Sequence, residues 1–256
     1  MSTEKSNEEI VVLAILIRYN LPTVRRTNNP AVVELQNISK RLARLPILTN
    51  ISITVYQGEK IGIAGPIGVG KTTLLYIMLG LITPDTGTIK MFSLSFETHR
   101  QYILQRVNFA SSALKLNGYA SVYENLLTFA RLYRVPNPKH KIEKLVHNFG
   151  IEYLLKKNLK VYKLSAGENS KVNICKALLN NPEVLFLDEI TAYLDPKSEE
   201  MLRDVLKKQT LQTVLFASHN LQELRRFCTK ILFLKKGKIQ YFGPMPSAKR
   251  ILSYYG

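Results

Sequence analysis

The chain has 256 residues, 46% of them hydrophobic and 21% charged, and a formal net charge of +17. This length and composition favour one large globular domain, with or without an inserted lobe, and argue against a low-complexity chain. The charge fits a polyanionic partner, meaning nucleic acid, nucleotide or an anionic membrane surface, but it also fits a merely solubilising surface. Because the lysines are scattered along the chain, charge alone does not choose between these interpretations.

No run of apolar residues in the sequence is long enough to cross a membrane. The candidate at residues 10–17 has only eight apolar residues, and the glutamates before it are unlike the basic flank of a secretory signal. We therefore interpret residues 1–30 as an N-terminal extension of unknown role. Cys175, Cys228 and the four histidines lack metal-ligand spacing, so we expect two buried thiols in a reducing compartment.

Strand patterns begin at Val32. The segments VVELQNIS and ILTNISITV alternate between apolar and polar residues, which predicts two half-buried antiparallel strands. KIGIAG predicts a short strand that ends in a glycine, and the helical pattern after it closes at Gly80. TPDTG then predicts a turn before another strand, TIKMFS.

The segment GPIGVGKT fits the phosphate-loop pattern G-x-x-x-x-G-K-[ST] and lies between a predicted strand and a predicted helix. Glycines let the backbone wrap a phosphate so that successive N–H groups point inward. We expect Lys71 to reach the β- and γ-phosphates of a nucleotide and the Thr72 hydroxyl to bind Mg²⁺. The candidate phosphate-binding residues are Gly65, Pro66, Ile67, Gly68, Val69, Gly70, Lys71, Thr72 and Thr73.

Helical patterns dominate the middle of the chain, with a break at Pro136–Pro138. They predict an α-helical lobe, at about residues 95–165, inserted between two halves of an α/β core. Strands and helices alternate again after Leu164, which predicts a mostly parallel sheet with its ligands at the carboxyl ends of the strands. The chain closes with a predicted hairpin that turns at Gly237.

The stretch LSAGENSKV, residues 164–172, predicts a capped helix start. Ser165 is followed three residues later by Glu168, just ahead of an apolar helical pattern, as in a capping box. A helix start exposes backbone N–H groups and a partial positive charge, which suits an anion.

Two further strands end in polar side chains. EVLFLDE is an apolar strand that ends in two carboxylates, so we expect Asp188 to hold Mg²⁺ and Glu189 to polarise an attacking water as the catalytic base. His219 follows the apolar run TVLFAS and opens a helix, where it could hydrogen-bond a γ-phosphate. A lone histidine in such a place is more typical of a helix cap or a core residue.

The order of these motifs resembles the nucleotide-binding subunit of the ATP-binding cassette (ABC) transporter family. The matching segments are GPIGVGKTT, LSAGE in place of the family's LSGGQ, VLFLDE, AYLD as the D-loop, and Ser218–His219. The resemblance covers about residues 32–245 and implies an ABC ATP-binding domain at residues 31–256. It implies an α/β P-loop NTPase fold with a mostly parallel core sheet, an N-terminal antiparallel β subdomain and the inserted α-helical lobe.

The resemblance also implies cofactors and partners: ATP with Mg²⁺, and a second ABC ATPase subunit, expected as a homodimer. Ser165 and Gly167 would meet the γ-phosphate held by the other subunit, and Asp195 of the D-loop belongs to the same nucleotide-binding set. A separate transmembrane permease is expected, with this chain peripheral on the cytoplasmic face of the cell membrane. Nucleic acid is not expected as a partner.

Several positions depart from the family pattern. Ser112 stands where the family has a glutamine that touches Mg²⁺ and water, and Leu42 stands where an aromatic side chain usually stacks on adenine. Ile190 replaces a proline, and Glu168 replaces the glutamine of LSGGQ. The Ser112 segment and the short C-terminal tail resemble cassettes paired with ABC-2-type export permeases, which favours an exporter. Leu42 and Ser112 leave open an alternative, a non-transport ABC protein that acts as an ATP-dependent assembly switch with weak hydrolysis.

Overall fold

The computed structural model describes residues 29–208 and 212–247, and two β-sheets organise this part of the chain. The smaller sheet contains β1 (Ala31–Leu42), β2 (Leu45–Tyr56) and β4 (Thr86–Met91), in the order β2-β1-β4. β1 pairs antiparallel with both neighbours. The predicted N-terminal antiparallel subdomain is therefore confirmed.

The larger sheet has six strands in the order β5-β6-β7-β3-β8-β9. They are β3 (Lys60–Ala64), β5 (Val107–Ser111), β6 (Val184–Asp188), β7 (Thr213–Ala217), β8 (Lys230–Lys235) and β9 (Lys238–Pro244). Five pair in parallel, and β9 alone runs antiparallel to its neighbour. Every residue of β6 and β7 is buried, as expected for parallel strands covered on both faces. The mostly parallel core sheet is confirmed.

The helices lie around this sheet and in a lobe beside it. They are α1 (Lys71–Met78), α2 (Phe96–Arg106), α3 (Val122–Leu132), α4 (Pro138–Asn148), α5 (Glu152–Lys156), α6 (Ala166–Ala177), α7 (Pro196–Lys208) and α8 (Leu221–Phe227), with a 3₁₀ turn at Val161–Lys163. The lobe helices α3, α4 and α5 bury apolar side chains, among them Leu126, Val146 and Leu154, in the same cluster as the sheet.

The segment predicted as the helical lobe is not helical throughout. It contains β5, which pairs with β6 from Val107 opposite Val184 to Ser111 opposite Asp188 and so belongs to the core sheet. The helices of the lobe follow this strand, beginning with α3. Periodicity cannot distinguish a five-residue apolar strand such as VNFAS from a piece of buried helix.

The predicted hairpin is present and turns at Lys236 and Gly237, whose φ angles are 50° and 70°. A Cβ on Gly237 would lie 2.4 Å from the Ile47 carbonyl oxygen, so this position requires glycine. The Gly237 carbonyl accepts a hydrogen bond of 2.8 Å from the Thr49 backbone N–H, which joins the hairpin to β2.

Some predictions concern thiols, the membrane or the N-terminus. Cys175 and Cys228 are buried and free, as expected. Among the described helices, none has the length and apolar character needed to span a bilayer. The extension predicted for residues 1–30 lies, except for its last two residues, outside the described part of the chain, and so does the apolar run at residues 10–17.

Candidate active site

Three adjacent strands of the large sheet deliver the candidate catalytic groups to one edge. β6, β7 and β3 are parallel neighbours, with Asp188 opposite Ala217 and Ile63 opposite Ala217. Their carboxyl ends therefore lie side by side, and each leads directly into one of the predicted segments: the glycine-rich loop, the Asp188–Glu189 pair or Ser218–His219. Parallel α/β sheets bind their ligands at such an edge.

The glycine-rich loop connects β3 to α1 through backbone conformations that glycine favours. Gly65 and Gly70 have φ angles of 145° and 107°, and a Cβ on Gly65 would lie 2.4 Å from the Leu234 carbonyl oxygen. No side chain caps the start of α1, and its first turn contains no acidic residue. The backbone N–H groups there are not engaged by a capping side chain and are therefore available to a phosphate.

Lys71 folds back over this loop. Its Nζ donates hydrogen bonds to the carbonyl oxygens of Gly65 (2.9 Å) and Pro66 (3.1 Å). Burial lowers the pKa of Lys71, while the carboxylates of Glu189 and Asp188 oppose that shift. The amine is thus held beside the loop, near both carboxylates. The tip of the loop is open, with Ile67 87% exposed and free space around Gly68.

Thr72 and Asp188 meet at the first turn of α1. The Thr72 hydroxyl lies 3.0 Å and 3.2 Å from the two carboxylate oxygens of Asp188. Asp188 is only 5% exposed, and burial raises its pKa. A buried carboxylate beside a hydroxyl is a pair of hard oxygen ligands, and Mg²⁺ typically takes one or two carboxylates together with substrate phosphates. The donor set fits Mg²⁺.

Glu189 directly follows Asp188 and has an unusual backbone conformation, with φ at 50°. Such a conformation costs about 1–3 kcal/mol in a non-glycine residue and persists only where its surroundings enforce it. One carboxylate oxygen accepts the His219 backbone N–H at 2.9 Å, and the other lies 2.9 Å from His219 Nδ1. Glu189 and His219 are therefore in direct contact, although 30 residues separate them in the chain.

Glu223 is a residue of this edge that the sequence analysis missed. It is 8% exposed, and its carboxylate accepts a hydrogen bond from the buried Ser218 hydroxyl. Burial raises its pKa to about 7. In the sequence, the spacing of Glu223 from Leu224 and Phe227 indicates that all three share one face of α8. The structure shows that these three residues are buried together.

The predicted helix start at Ser165 is confirmed as a complete capping box. The Ser165 hydroxyl accepts the Glu168 N–H at 3.2 Å, and the Glu168 carboxylate accepts the Ser165 N–H at 2.7 Å and lies 2.8 Å from its hydroxyl. Tyr153 donates its hydroxyl to the other carboxylate oxygen. Burial acts to raise the pKa of Glu168, but these hydrogen bonds outweigh it, and the pKa is lowered.

The D-loop packs directly on this helix start. A Cβ on Gly167 would lie 2.9 Å from the Tyr193 carbonyl oxygen, so the glycine allows the close approach. Asp195 accepts the backbone N–H (2.9 Å) and the hydroxyl (2.8 Å) of Ser198, which lowers its pKa to about 2, and it pairs with Lys171 of α6 at 3.4 Å. Asp195 thereby joins the start of α7 to α6.

The predicted site residues thus form two sets. Within residues 29–208 and 212–247, no hydrogen bond or ion pair links Ser165, Gly167 or Asp195 to the glycine-rich loop or to the Asp188–Glu189 pair. We refer to Ser165, Gly167, Glu168 and Asp195 as the helix-start set. The phosphate-loop set consists of the glycine-rich loop with Lys71 and Thr72, and of Asp188, Glu189 and His219.

The structure also shows where the residues that depart from the family pattern lie. The Ser112 backbone N–H donates to the Asp188 carbonyl at 3.2 Å, so Ser112 lies at the same sheet edge as the phosphate-loop set. Leu42 ends β1 and is 41% exposed. Ile190 is completely buried and adds to the core.

A parallel sheet with a glycine-rich loop and its lysine before a helix, and with two carboxylates at the end of β6 on the same edge, defines a P-loop nucleoside triphosphatase. A family model described as "ABC transporter" matches residues 48–192. The chain belongs to the ABC transporter family, and it is an ATP-binding domain of the kind that hydrolyses ATP.

Known proteins support this assignment. The chain is 32% identical over 211 residues to the Nod factor export ATP-binding protein I of Burkholderia lata, covering 81% of this chain and 69% of that protein. It is 32% identical over 227 residues to the methionine import ATP-binding protein MetN of Chlamydia caviae, covering 84% and 66%. Among solved structures, a dimeric post-hydrolysis state of the ATP-binding cassette MJ0796 bound to ADP and Pi has a TM-score of 0.74 and 25% identity, covering 84% of this chain and 99% of the other.

Proposed function

We propose that this chain is the ATP-hydrolysing subunit of a membrane exporter, working as a homodimer with a separate permease on the cytoplasmic face of the cell membrane. The observation that carries the proposal is the division of the site into two sets. The phosphate-loop set can bind a nucleotide within one chain. Among the described residues, no hydrogen bond or ion pair joins the helix-start set to that set, and the helix-start set suits a phosphate held by another subunit.

In the phosphate-loop set, each group has a proposed task. The backbone N–H groups of the loop and Lys71 would hold the β- and γ-phosphates of ATP, while Thr72 and Asp188 would hold Mg²⁺. When bound, Mg²⁺ would neutralise phosphate charge. Glu189 would accept a proton from the attacking water, and His219 would orient the Glu189 carboxylate through the 2.9 Å contact while its other ring nitrogen faces the γ-phosphate.

The helix-start set completes the site in the dimer. Ser165 is exposed and caps α6, so its hydroxyl and the first N–H groups of the helix can meet a phosphate that approaches from outside. The close packing of Gly167 against Tyr193 keeps the D-loop and this helix start together as one surface. The dimeric state of the MJ0796 cassette supports the same arrangement here.

The Glu189→Gln variant tests this assignment. It keeps the shape of the side chain but removes the base, so we expect an ATP-bound dimer that turns over at least about 100-fold more slowly than the wild type. Size-exclusion chromatography with ATP and Mg²⁺ would detect the dimer, and phosphate release would measure turnover. A Glu189→Gln protein that hydrolyses ATP at the wild-type rate would remove Glu189 from its proposed role.

Export and the permease are proposed from the relatives and from Ser112. Relatives named for export and one named for import share similar identity with this chain. We favour export because Nod factor export proteins recur among the relatives and because Ser112 stands at the sheet edge. A gene for a six-span permease beside this one, whose co-expression recruits the chain to membranes, would support the proposal. Membrane recruitment that does not depend on that permease would contradict it.

One observation favours a second function, an ATP-dependent assembly switch with weak hydrolysis. Ser112 approaches Asp188 through its backbone N–H, and a serine side chain is too short to copy the reach of a glutamine. Steady-state hydrolysis separates the two functions, with Lys71→Ala as the blank. A rate near the typical enzyme value of about 10 s⁻¹ would favour the transporter, and a rate close to the blank would favour the switch.

A further inference from the structure

The Ser218 hydroxyl lies between two carboxylates. Ser218 is completely buried, and its Oγ is 2.5 Å from one oxygen of Glu223 and 3.4 Å from one oxygen of Glu189. The Asn220 backbone N–H donates to the same Oγ at 3.0 Å. A hydroxyl has one proton to donate, so Ser218 can serve only one of the two carboxylates at a time. The shorter distance indicates that Glu223 receives this proton.

The direction in which Ser218 donates its hydroxyl proton affects the contact between Glu189 and His219. The Glu189 oxygen nearest Ser218 is the same oxygen that lies 2.9 Å from His219 Nδ1. If Ser218 donated to Glu189, it would compete with His219 for that oxygen and would make the carboxylate a weaker proton acceptor. Glu223 draws the hydroxyl proton to the other side and leaves this oxygen to His219.

The surroundings of Glu223 fit this role. Its second carboxylate oxygen, Oε1, is buried and has no hydrogen-bond partner in the described part of the chain, so Ser218 provides its direct contact with the site. A buried polar group without a partner costs about 1–3 kcal/mol, which an ordinary core position would avoid. The titratable groups that face Glu223 are Glu189, Glu199, His219 and Cys228.

We propose that Glu223 is a positioning residue for ATP hydrolysis, acting through the Ser218 hydroxyl to keep Glu189 paired with His219. The inference rests on the proposed roles of Glu189 and His219. When Glu223 is ionised, it accepts the Ser218 proton. When Glu223 is protonated, it donates its own proton to Ser218 Oγ, and the Ser218 proton turns toward Glu189.

The protonation of Glu223 therefore gives the network a dependence on pH. Burial raises the pKa of Glu223 to about 7, with Glu189 and Glu199 adding to the shift and His219 opposing it. The favourable arrangement is present above this pKa and is lost as the pH falls through it. We expect kcat of the wild type to rise through about pH 7, and Glu223→Gln, whose amide oxygen still accepts from Ser218, to lack this step.

Three variants test the proposal, with kcat and KM for ATP measured from pH 6 to 8. Glu223→Leu fills the volume but offers no acceptor, so we expect kcat to fall about 10- to 100-fold with KM for ATP unchanged. Ser218→Ala removes the group through which Glu223 acts. In the double variant we expect Glu223→Leu to have no further effect, because positions that act as a unit are not additive.

The matched control is Glu199→Gln. It removes a carboxylate that faces Glu223, but Glu199 pairs with Arg226 at 3.2 Å and makes no hydrogen bond to Ser218 among the described residues, so we expect an unchanged kcat at pH 8 and a pH step that moves slightly lower. A Glu223→Leu effect of equal size with and without Ser218 would overturn the proposal, since it would then reflect packing, and so would a Glu223→Gln pH profile identical to the wild type. If Glu189→Gln and Lys71→Ala also leave hydrolysis intact, the proposed function itself fails.

Discussion

The phosphate-loop set and the helix-start set differ in how their charges are satisfied. At the strand ends, burial raises the pKa of Asp188 and lowers that of Lys71, so both groups are held in environments that disfavour their charged forms. At the helix start the reverse holds. Hydrogen bonds lower the pKa of Glu168 despite its burial, and they lower that of Asp195 to about 2.

This difference indicates what each set requires. Buried ions with incomplete partners gain stability from a charged ligand, so the phosphate-loop set is suited to a triphosphate with its metal. The helix-start set is already satisfied by hydrogen bonds within its own chain, and its residues are exposed or partly exposed. A phosphate from a second subunit would have to compete with Glu168 for the Ser165 hydroxyl, which makes this set a contact surface and not a binding pocket by itself.

Lys71→Ala would give the largest effect, because it removes the cation of the phosphate-loop set. We expect hydrolysis to fall about 10²- to 10³-fold, as for the loss of a preorganised group that stabilises developing charge. We also expect weaker nucleotide binding. Phosphate release would measure hydrolysis, and a fluorescent nucleotide would measure binding. The same loss of hydrolysis without any loss of nucleotide binding would contradict the placement of Lys71 on the phosphates.

Gly167→Ala tests whether the helix-start set works as one surface. Its Cβ would lie 2.9 Å from the Tyr193 carbonyl, so the D-loop must shift, and we expect about 10- to 100-fold slower hydrolysis with normal ATP binding. Gly118→Ala is the control, because its Cβ would make only an ordinary contact, 3.6 Å from Tyr162 Cβ. Equal rates for the two variants would show that the packing of the D-loop on Gly167 is not needed.

Tyr153→Phe examines the carboxylate that replaces a glutamine in the helix-start set. Without the Tyr153 hydrogen bond, one Glu168 oxygen is released toward an approaching phosphate. We expect hydrolysis to slow about two- to fivefold, the factor that corresponds to about 0.5–1 kcal/mol for a partly exposed charge. In a Glu168→Gln background, which carries no charge to release, Tyr153→Phe should have no effect. An undiminished effect there would mean that Tyr153 acts by packing.

The smallest expected effect is on the free energy of unfolding. A second capping box in the same chain provides the comparison. Ser121 and Glu124 cap α3 with the same reciprocal hydrogen bonds that Ser165 and Glu168 make at α6. We expect Ser121→Ala and Ser165→Ala each to lower the free energy of unfolding by about 1 kcal/mol, measured by urea titration. Only Ser165→Ala should also slow hydrolysis. A matching loss of activity in Ser121→Ala would show that hydrolysis responds to helix stability in general.

The sequence was most informative where a local rule specifies a backbone conformation. Glycines at 65 and 70 predicted the phosphate loop, Gly237 predicted the hairpin turn, and Ser165 with Glu168 predicted a capped helix, because each depends on only a few neighbouring residues. Where no local rule applies, the sequence was less informative. Local patterns place VNFAS within the predicted helical lobe, because its pairing partner, β6, comes more than 70 residues later in the chain.

By itself, the sequence determined most of the elements and the chemistry that each one carries, and it contains the S-x-x-E spacing of a capping box at both Ser121 and Ser165. Only the tertiary structure showed which box is buried in the lobe and which is exposed beside the D-loop. Ser121 is 1% exposed in the lobe, whereas Ser165 is exposed beside the D-loop. The tertiary structure also placed the Ser218 hydroxyl between the carboxylates of Glu189 and Glu223. Burial and the order of strands in a sheet depend on residues far apart in the chain, so no local pattern specifies them.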